Sequence, residues 1–280
     1  MAKKAYIGVD GKARKVKKAY LGVDGVAELV YQSWQPDWRR AYVLTPESGL
    51  ICYGDGKFAV LASGGENGQY TLDPRMEQWF PLSLPVPDEG FAAGAICYGG
   101  GKFVVLGQSG TTAYYSEDGV GWDSGTVLES ANWSSVCYGK GRFVAVSRDM
   151  SDLIVTSEDG ITWNGLTSAL LQADWVSVCY GESRFVAIAS SGGVIYSDDG
   201  IGWMNGTFLT EANWSSICYG DGKFVAVASA SNIAAYSENG IEWTQTTLPT
   251  TANWSSICYG DGKFAAVAKG SDAIAFTPAA

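Results

Sequence analysis

The tripeptide Cys-Tyr-Gly occurs six times, at Cys52, Cys97, Cys137, Cys179, Cys218 and Cys258, in steps of 45, 40, 42, 39 and 40 residues. A unit this short cannot bury its own apolar faces, so neighbouring copies must cover one another. Each copy continues into Gly-x-Gly-[Lys/Arg]-Phe or a close variant, then an apolar run such as Phe143-Val-Ala-Val or Phe224-Val-Ala-Val. An aromatic-Ser element follows about ten residues later, as in Tyr115-Ser116, Tyr196-Ser197 and Tyr236-Ser237, and then [Asp/Asn]-Gly and a Trp.

Each unit reads as four strands. In the fifth, strand A lies near Trp214–Tyr219, B at Lys223–Ala228, C at Ile233–Ser237 and D at Ile241–Thr246, with turns at Asp221-Gly222 and Asn239-Gly240. Asp-Gly and Asn-Gly between apolar runs mark tight hairpins, because glycine reaches the positive φ they need. The composition agrees: 36 Gly, 11 Trp and 15 Tyr beside only 8 Pro suit an all-β chain of short strands. Four antiparallel strands every forty residues is the pattern of a β-propeller blade, and stacked blades explain runs that are apolar on both faces. The expected fold is therefore an all-β, six-bladed propeller spanning 28–280, preceded by a small β-meander over 1–27.

Closure can be read by counting. The sixth unit supplies A, B and a strand C at Ala273–Thr277, and the sequence ends before any strand D. Trp34 lies 18 residues before Cys52, as the strand-D residue Trp79 lies 18 before Cys97. The segment Glu28–Trp34 is thus expected to complete the last blade and close the ring. Ahead of it, Ala5-Tyr-Ile-Gly-Val-Asp-Gly recurs as Ala19-Tyr-Leu-Gly-Val-Asp-Gly, each copy reading as strand, turn, strand.

Composition removes whole classes of chemistry. There is no histidine, which excludes Ser-His-Asp and Cys-His catalysis, histidine metal sites and histidine pH switches. The chain carries 19 basic and 29 acidic residues, net −10. Residues 1–31 hold seven bases against three acids, which leaves an acidic body that repels nucleic-acid phosphates. Apolar runs are too short to span a bilayer, and the basic start has no apolar stretch behind it, so neither membrane insertion nor a signal peptide is expected. No cofactor motif and no metal-ligand spacing is found. The six cysteines stand at equivalent places too far apart for disulfides, and read as small apolar residues near the inner strand.

Three sets of residues invite a role. Asn132-Trp133, Asp174-Trp175, Asn213-Trp214 and Asn253-Trp254 precede strand A, on the face shared with the variable B–C loops. An indole beside an amide or carboxylate suits a sugar face; the competing reading wedges these indoles between blades as core. Five residues after each cysteine sits a base: Lys57, Lys102, Arg142, Arg184, Lys223 and Lys263. Six-fold geometry makes these a cationic ring, or else turn-flanking charges paired with nearby acids such as Asp55, Asp221 and Asp261. The Ser and Asp before each Trp are expected to bond their own turn. Acids at Glu66, Asp149, Asp152 and Asp272 occupy B–C loops, where a glycosidase carboxylate pair could stand.

The elements Ser116–Trp122, Ser157–Trp163, Ser197–Trp203 and Ser237–Trp243 resemble a shortened Asp-box of sialidase-type propellers. The converging arginines of a sialidase site have no counterpart. The N-terminal Tyr-[Ile/Leu]-Gly-Val-Asp-Gly tandem resembles the start of tail-associated structural proteins of phages and prophages of low-GC Gram-positive bacteria. That resemblance implies a non-catalytic binding or structural module of a tail, located in the virion or in the bacterial cytoplasm before assembly. Its expected partners are a host-surface glycan or another tail protein. A free-standing lectin and a glycoside hydrolase are the alternatives.

Overall fold

The structure, a computed structural model, describes residues 19–23, 26–31, 48–62, 67–72, 79–85, 91–148, 153–166, 172–260, 262–271 and 273–277. The chain divides into two units, Met1–Tyr42 and Val43–Ala280.

In the first unit, β1 (Ala19–Val23) and β2 (Val26–Tyr31) pair antiparallel, with Val23 opposite Val26. Of the segment expected to close the ring, Glu28–Tyr31 pairs with its sequence neighbour β1, and Trp34 lies outside the described residues. The first copy of the tandem, at residues 5–11, also lies outside the described residues.

The second unit repeats one antiparallel sheet. Sheet 1 comprises β3 (Ser48–Gly54), β4 (Lys57–Ala62), β5 (Asn67–Thr71) and β6 (Phe80–Ser83). Sheet 2 holds β7 (Ala93–Gly99), β8 (Lys102–Gly107), β9 (Thr112–Ser116) and β10 (Asp123–Val127). Sheet 3 holds β11 (Trp133–Gly139), β12 (Arg142–Ser147), β13 (Ile154–Ser157) and β14 (Thr162–Leu166). Sheet 4 runs from β15 (Trp175–Gly181) through β16 (Arg184–Ala189) and β17 (Val194–Ser197) to the short β18 (Met204–Asn205). Sheet 5 holds β19 (Asn213–Gly220), β20 (Lys223–Ser229), β21 (Ser231–Ser237) and β22 (Thr244–Ala252). Sheet 6 has three strands among the described residues, β23 (Trp254–Gly260), β24 (Lys263–Ala268) and β25 (Ile274–Phe276). Sheets 2 and 3 also join at their outer strands, where β10 runs parallel to β14 with Thr126 opposite Thr162.

The expected strands fall within a few residues of the observed ones, except strand D of the fifth unit. It begins at Thr244 and not at Ile241, because the Asn239 side chain captures the amides of Ile241 and Glu242 and holds them in the turn.

The core lies between sheets. Phe143-Val-Ala-Val is buried at every position. In one cluster Val186, Ile188 and Val194 of sheet 4 pack onto Ile217, Phe224 and Ala226 of sheet 5. The Cys-Tyr-Gly glycine explains how close the sheets come. A Cβ on Gly54, Gly99, Gly139, Gly181 or Gly220 would overlap the ring of Tyr98, Tyr138, Tyr180, Tyr219 or Tyr259 on the next sheet. Any side chain there would push the two sheets apart.

Serines of strand A add a second link. A bulge after each leading Trp releases Ser134 and Ser215 toward the next sheet. Ser134 Oγ donates to Trp175 O at 2.6 Å, and Ser215 Oγ to Trp254 O at 2.7 Å. The amides of Ile217 and Ile257 donate back to Ser177 Oγ and Ser216 Oγ. Tyr219 adds a hydroxyl bond to Glu182 of the sheet before it, which raises its pKa to about 12.

Candidate functional site

The turn face is built for structure. Gly119 N donates to Ser116 Oγ at 2.8 Å, while the Val120 and Gly121 amides donate to Asp118 Oδ1. The same pattern recurs around Asp159, Asp199 and Asn239. Gly119 sits at φ 73, in the left-handed region that such a turn needs. The amide bonds hold the Asp118 and Asp199 carboxyls below the usual range. At Asp159 burial pushes upward, but the Thr162 and Ile161 amides and the Ser157 hydroxyl together outweigh it. The expectation that these residues bond their own turns holds.

The bases after each cysteine sit on this same face, and their charge is not free. Lys57 pairs with Asp55 at 2.8 Å, Lys102 with Glu117 at 3.3 Å and Arg142 with Glu158 at 2.9 Å. Arg184 pairs with Asp198 at 2.6 Å and Lys223 with Glu238 at 3.6 Å. Lys263 holds the equivalent position on β24. The expected cationic ring is therefore corrected to a set of ion pairs. Four of the acids follow the turn serine directly, a relation that was visible in Ser-[Glu/Asp]-[Asp/Asn]-Gly. The Asp221 pairing is not formed, and Asp261 lies outside the described residues. Arg184 also stitches sheets together: its Nη1 donates to Asn239 O at 2.7 Å, and its guanidinium lies 4.9 Å from the Tyr196 ring centre.

The cysteines are free and lie within the first strand of each sheet. Burial pushes the Cys52 thiol up to about 12 and also raises those of Cys97, Cys137, Cys179 and Cys218. Among the described residues no cluster of His, Cys, Asp or Glu could hold a metal.

The opposite face carries the recess. Trp133, Trp175, Trp214 and Trp254 are at most 1% exposed, so they wedge between sheets and offer no platform for a sugar. Trp214 and Trp254 are anchored by Nε1 donating to Thr210 O and Thr250 O. Their polar neighbours remain accessible: Asn132 and Asp174 are half-buried, Asn213 and Asn253 exposed. Of the two readings the sequence offered, the one that wedges these indoles between sheets as core is the one the burial supports.

Strand A's approach and strand B's exit meet here. Arg148 N donates to Asn132 O, Ser190 N to Asp174 O and Lys269 N to Asn253 O, each at 2.8–2.9 Å. These bonds bring the residue eleven after each cysteine beside the residue five before it. A recess of about 340 Å³ results, with Arg148, Lys269, Asp174, Asn213 and Asn253 around it and the edges of Trp214 and Trp254 as its floor. Lys269 and Ser229 were missed from sequence; aligning the residue eleven after each cysteine would have shown them. Glu66, Asp149, Asp152 and Asp272 lie outside the described residues.

No family model and no curated protein matches the chain. Solved structures do. A streptogramin B lyase aligns at TM-score 0.70 and 14% identity over 97% of this chain and 91% of its own. Virginiamycin B lyase from Staphylococcus aureus aligns at TM-score 0.70 and 13% identity over 94% and 89%. YCF48 bound to D1 peptide aligns at TM-score 0.60 and 14% identity over 85% and 84%. At such identities the likeness defines the fold alone: an all-β protein of the β-propeller type.

These comparisons overturn the expected role in a phage or prophage tail. Structures that match nearly the whole chain are lyases, which are enzymes, and the indoles on which glycan contact rested are buried. The lectin alternative falls with the same indoles. No helix among the described residues is long and apolar enough to cross a membrane.

Proposed function

We propose that the six sheets are the blades of a six-bladed propeller, and that the recess at the strand-A mouth binds a peptide through a carboxylate. One observation carries this reading. In a chain of net charge −10, Arg148 and Lys269 from different sheets converge on one recess whose lining, among the described residues, holds a single acid, Asp174. Two cations offer charge-assisted bonds to a carboxylate, and Asp174 suits a backbone amide or an amino group on the same ligand. Asn213 and Asn253 present both donors and acceptors, as an amide-rich ligand requires. The D1 peptide bound to YCF48, a protein of similar fold, supports a propeller taking such a ligand.

We read the recess as a binding site and assign no bond-making step to it. Virginiamycin B lyase from Staphylococcus aureus is catalytically inactive in a variant that replaces one histidine with alanine. The 280 residues of this chain contain no histidine.

The test is calorimetric titration with a set of short peptides, each prepared with a free and with an amidated C-terminus. Binding of free-acid peptides is expected, weakened about tenfold or more by amidation and by Arg148→Ala or Lys269→Ala, since a bond to a charged group contributes about 1.5–3 kcal/mol. Equal binding of acid and amide forms, or no binding at all, would sink the reading.

A further inference from the structure

We infer that Asp174 sets what the recess accepts: a peptide C-terminus whose last residue keeps its backbone N–H and carries no second acid. This rests on the carboxylate reading above and narrows it. A difference between sheets is the starting point. On the four sheets that surround the recess, the residue five before the cysteine is Asn132, Asn213 and Asn253 on sheets 3, 5 and 6, but Asp174 on sheet 4. The same backbone bond is made either way: Arg148 N donates to Asn132 O, Lys269 N to Asn253 O, and Ser190 N to Asp174 O. The fold therefore makes no demand for an acid at this place.

The acid stands in a site built from cations. Among the described residues, the charged side chains lining the recess are Arg148, Lys269 and Asp174, and none of the three joins an ion pair. On the turn face, by contrast, the base that follows each cysteine of sheets 1 to 5 lies 2.6–3.6 Å from an acid. Two bases and one acid leave the recess one positive charge, which a single carboxylate balances. A second carboxylate on the ligand would meet Asp174 and be repelled, so the acid discriminates as well as binds.

Asp174 is half-buried. A carboxylate so placed beside a bound anion is unfavourable unless a donor on the ligand reaches it, and it accepts hydrogen bonds but donates none. A peptide α-carboxylate brings that donor with it, because the N–H of its own residue is only two bonds from the carboxyl carbon. A neutral N–H keeps one charge against one, whereas the ammonium of a free amino acid would leave one positive charge unbalanced. Ser134 of sheet 3 donates to Trp175 O, next to Asp174 in the chain, so Asp174 belongs to the side of the recess nearest Arg148. The α-carboxylate is accordingly assigned to Arg148, its N–H to Asp174, and Lys269 approaches the carboxylate from sheet 6.

Calorimetric titration with acetyl-Ala-Ala-Ala-Ala as the free acid, its C-terminal amide, its analogue N-methylated at the last peptide bond, and acetyl-Ala-Ala-Ala-Glu tests this. The native chain should bind the free acid about tenfold or more tighter than the N-methyl and Glu-ended peptides. In Asp174→Ala, which removes the acceptor, the N-methyl penalty should disappear. In Asp174→Asn, which installs the residue of the neighbouring sheets, the Glu penalty should disappear. Circular dichroism and melting check that both variants are folded, and Asp174→Asn keeps a side chain the local backbone already holds elsewhere. No binding of the free acid, or equal binding of acid and amide, would remove the carboxylate reading and this inference with it. Three results would leave that reading standing and overturn this one: native binding indifferent to N-methylation or to the terminal Glu, penalties that persist in the variants, or free alanine bound as tightly as the tetrapeptide.

Discussion

The Tyr259 ring lies flat against the backbone of Gly220 on the preceding sheet, where even a methyl group would overlap it. The same relation joins every consecutive pair of sheets. Gly220→Ala should therefore act as an overpacking lesion, costing on the order of 1–3 kcal/mol. For a chain of this size that is a fall in Tm of roughly 2–12 °C, read by scanning calorimetry. Gly260→Ala, measured at low concentration, should leave Tm unchanged. Equal effects at the two positions would contradict the account.

Trp214 is 1% exposed and fixed by its Nε1 bond to Thr210 O. Trp214→Ala should cost about 3–5 kcal/mol through the cavity it leaves, seen as a lowered denaturation midpoint in urea. A surface platform would lose binding and keep its stability, so a variant as stable as the parent would refute its burial.

Asp118 and Asp199 are held below the ordinary carboxyl range by turn amides. Their folded pKa values lie under the unfolded value of about 3.9, so their contribution is complete above that pH and is lost as pH falls through the lower folded values. Asn239 keeps the same amide bonds with no charge to titrate. The double variant Asp118→Asn, Asp199→Asn should match the parent at neutral pH and lose less stability between about pH 5 and 2 in acid titrations followed by circular dichroism. An unchanged acid slope would count against the amide account.

Five of the six thiols are screened and have raised pKa values, while Cys258 on the uncovered face of sheet 6 is exposed. A thiolate is the reacting species, so native protein at neutral pH should label rapidly at Cys258 alone and at all six positions once denatured. Mass spectrometry of iodoacetamide-treated protein reads this directly. Fast labelling of Cys137 or Cys179 would be inconsistent with their burial.

Much of the fold was legible because the repeat aligns equivalent residues, and a hairpin is signalled by local residues such as Asp221-Gly222. The turn bonds of Ser116 and Asp118 were readable for the same reason: they span three residues. What the sequence hid is contact between units. Trp133 and Trp175 precede a strand as surface residues do, and only the approach of the next sheet buries them. Lys102 reads as an open charge until Glu117, fifteen residues on, folds beside it.

Within the second unit, the sheet-to-sheet links described above all run between consecutive sheets, each through its own glycine seat and, from sheet 3 onward, through a serine latch as well. Duplicating or excising one forty-residue module would therefore remake an existing junction and create no new one. Ancestral gene segments could multiply along such a chain with little mechanical penalty, and the copy number would be set by inheritance more than by any requirement of the core.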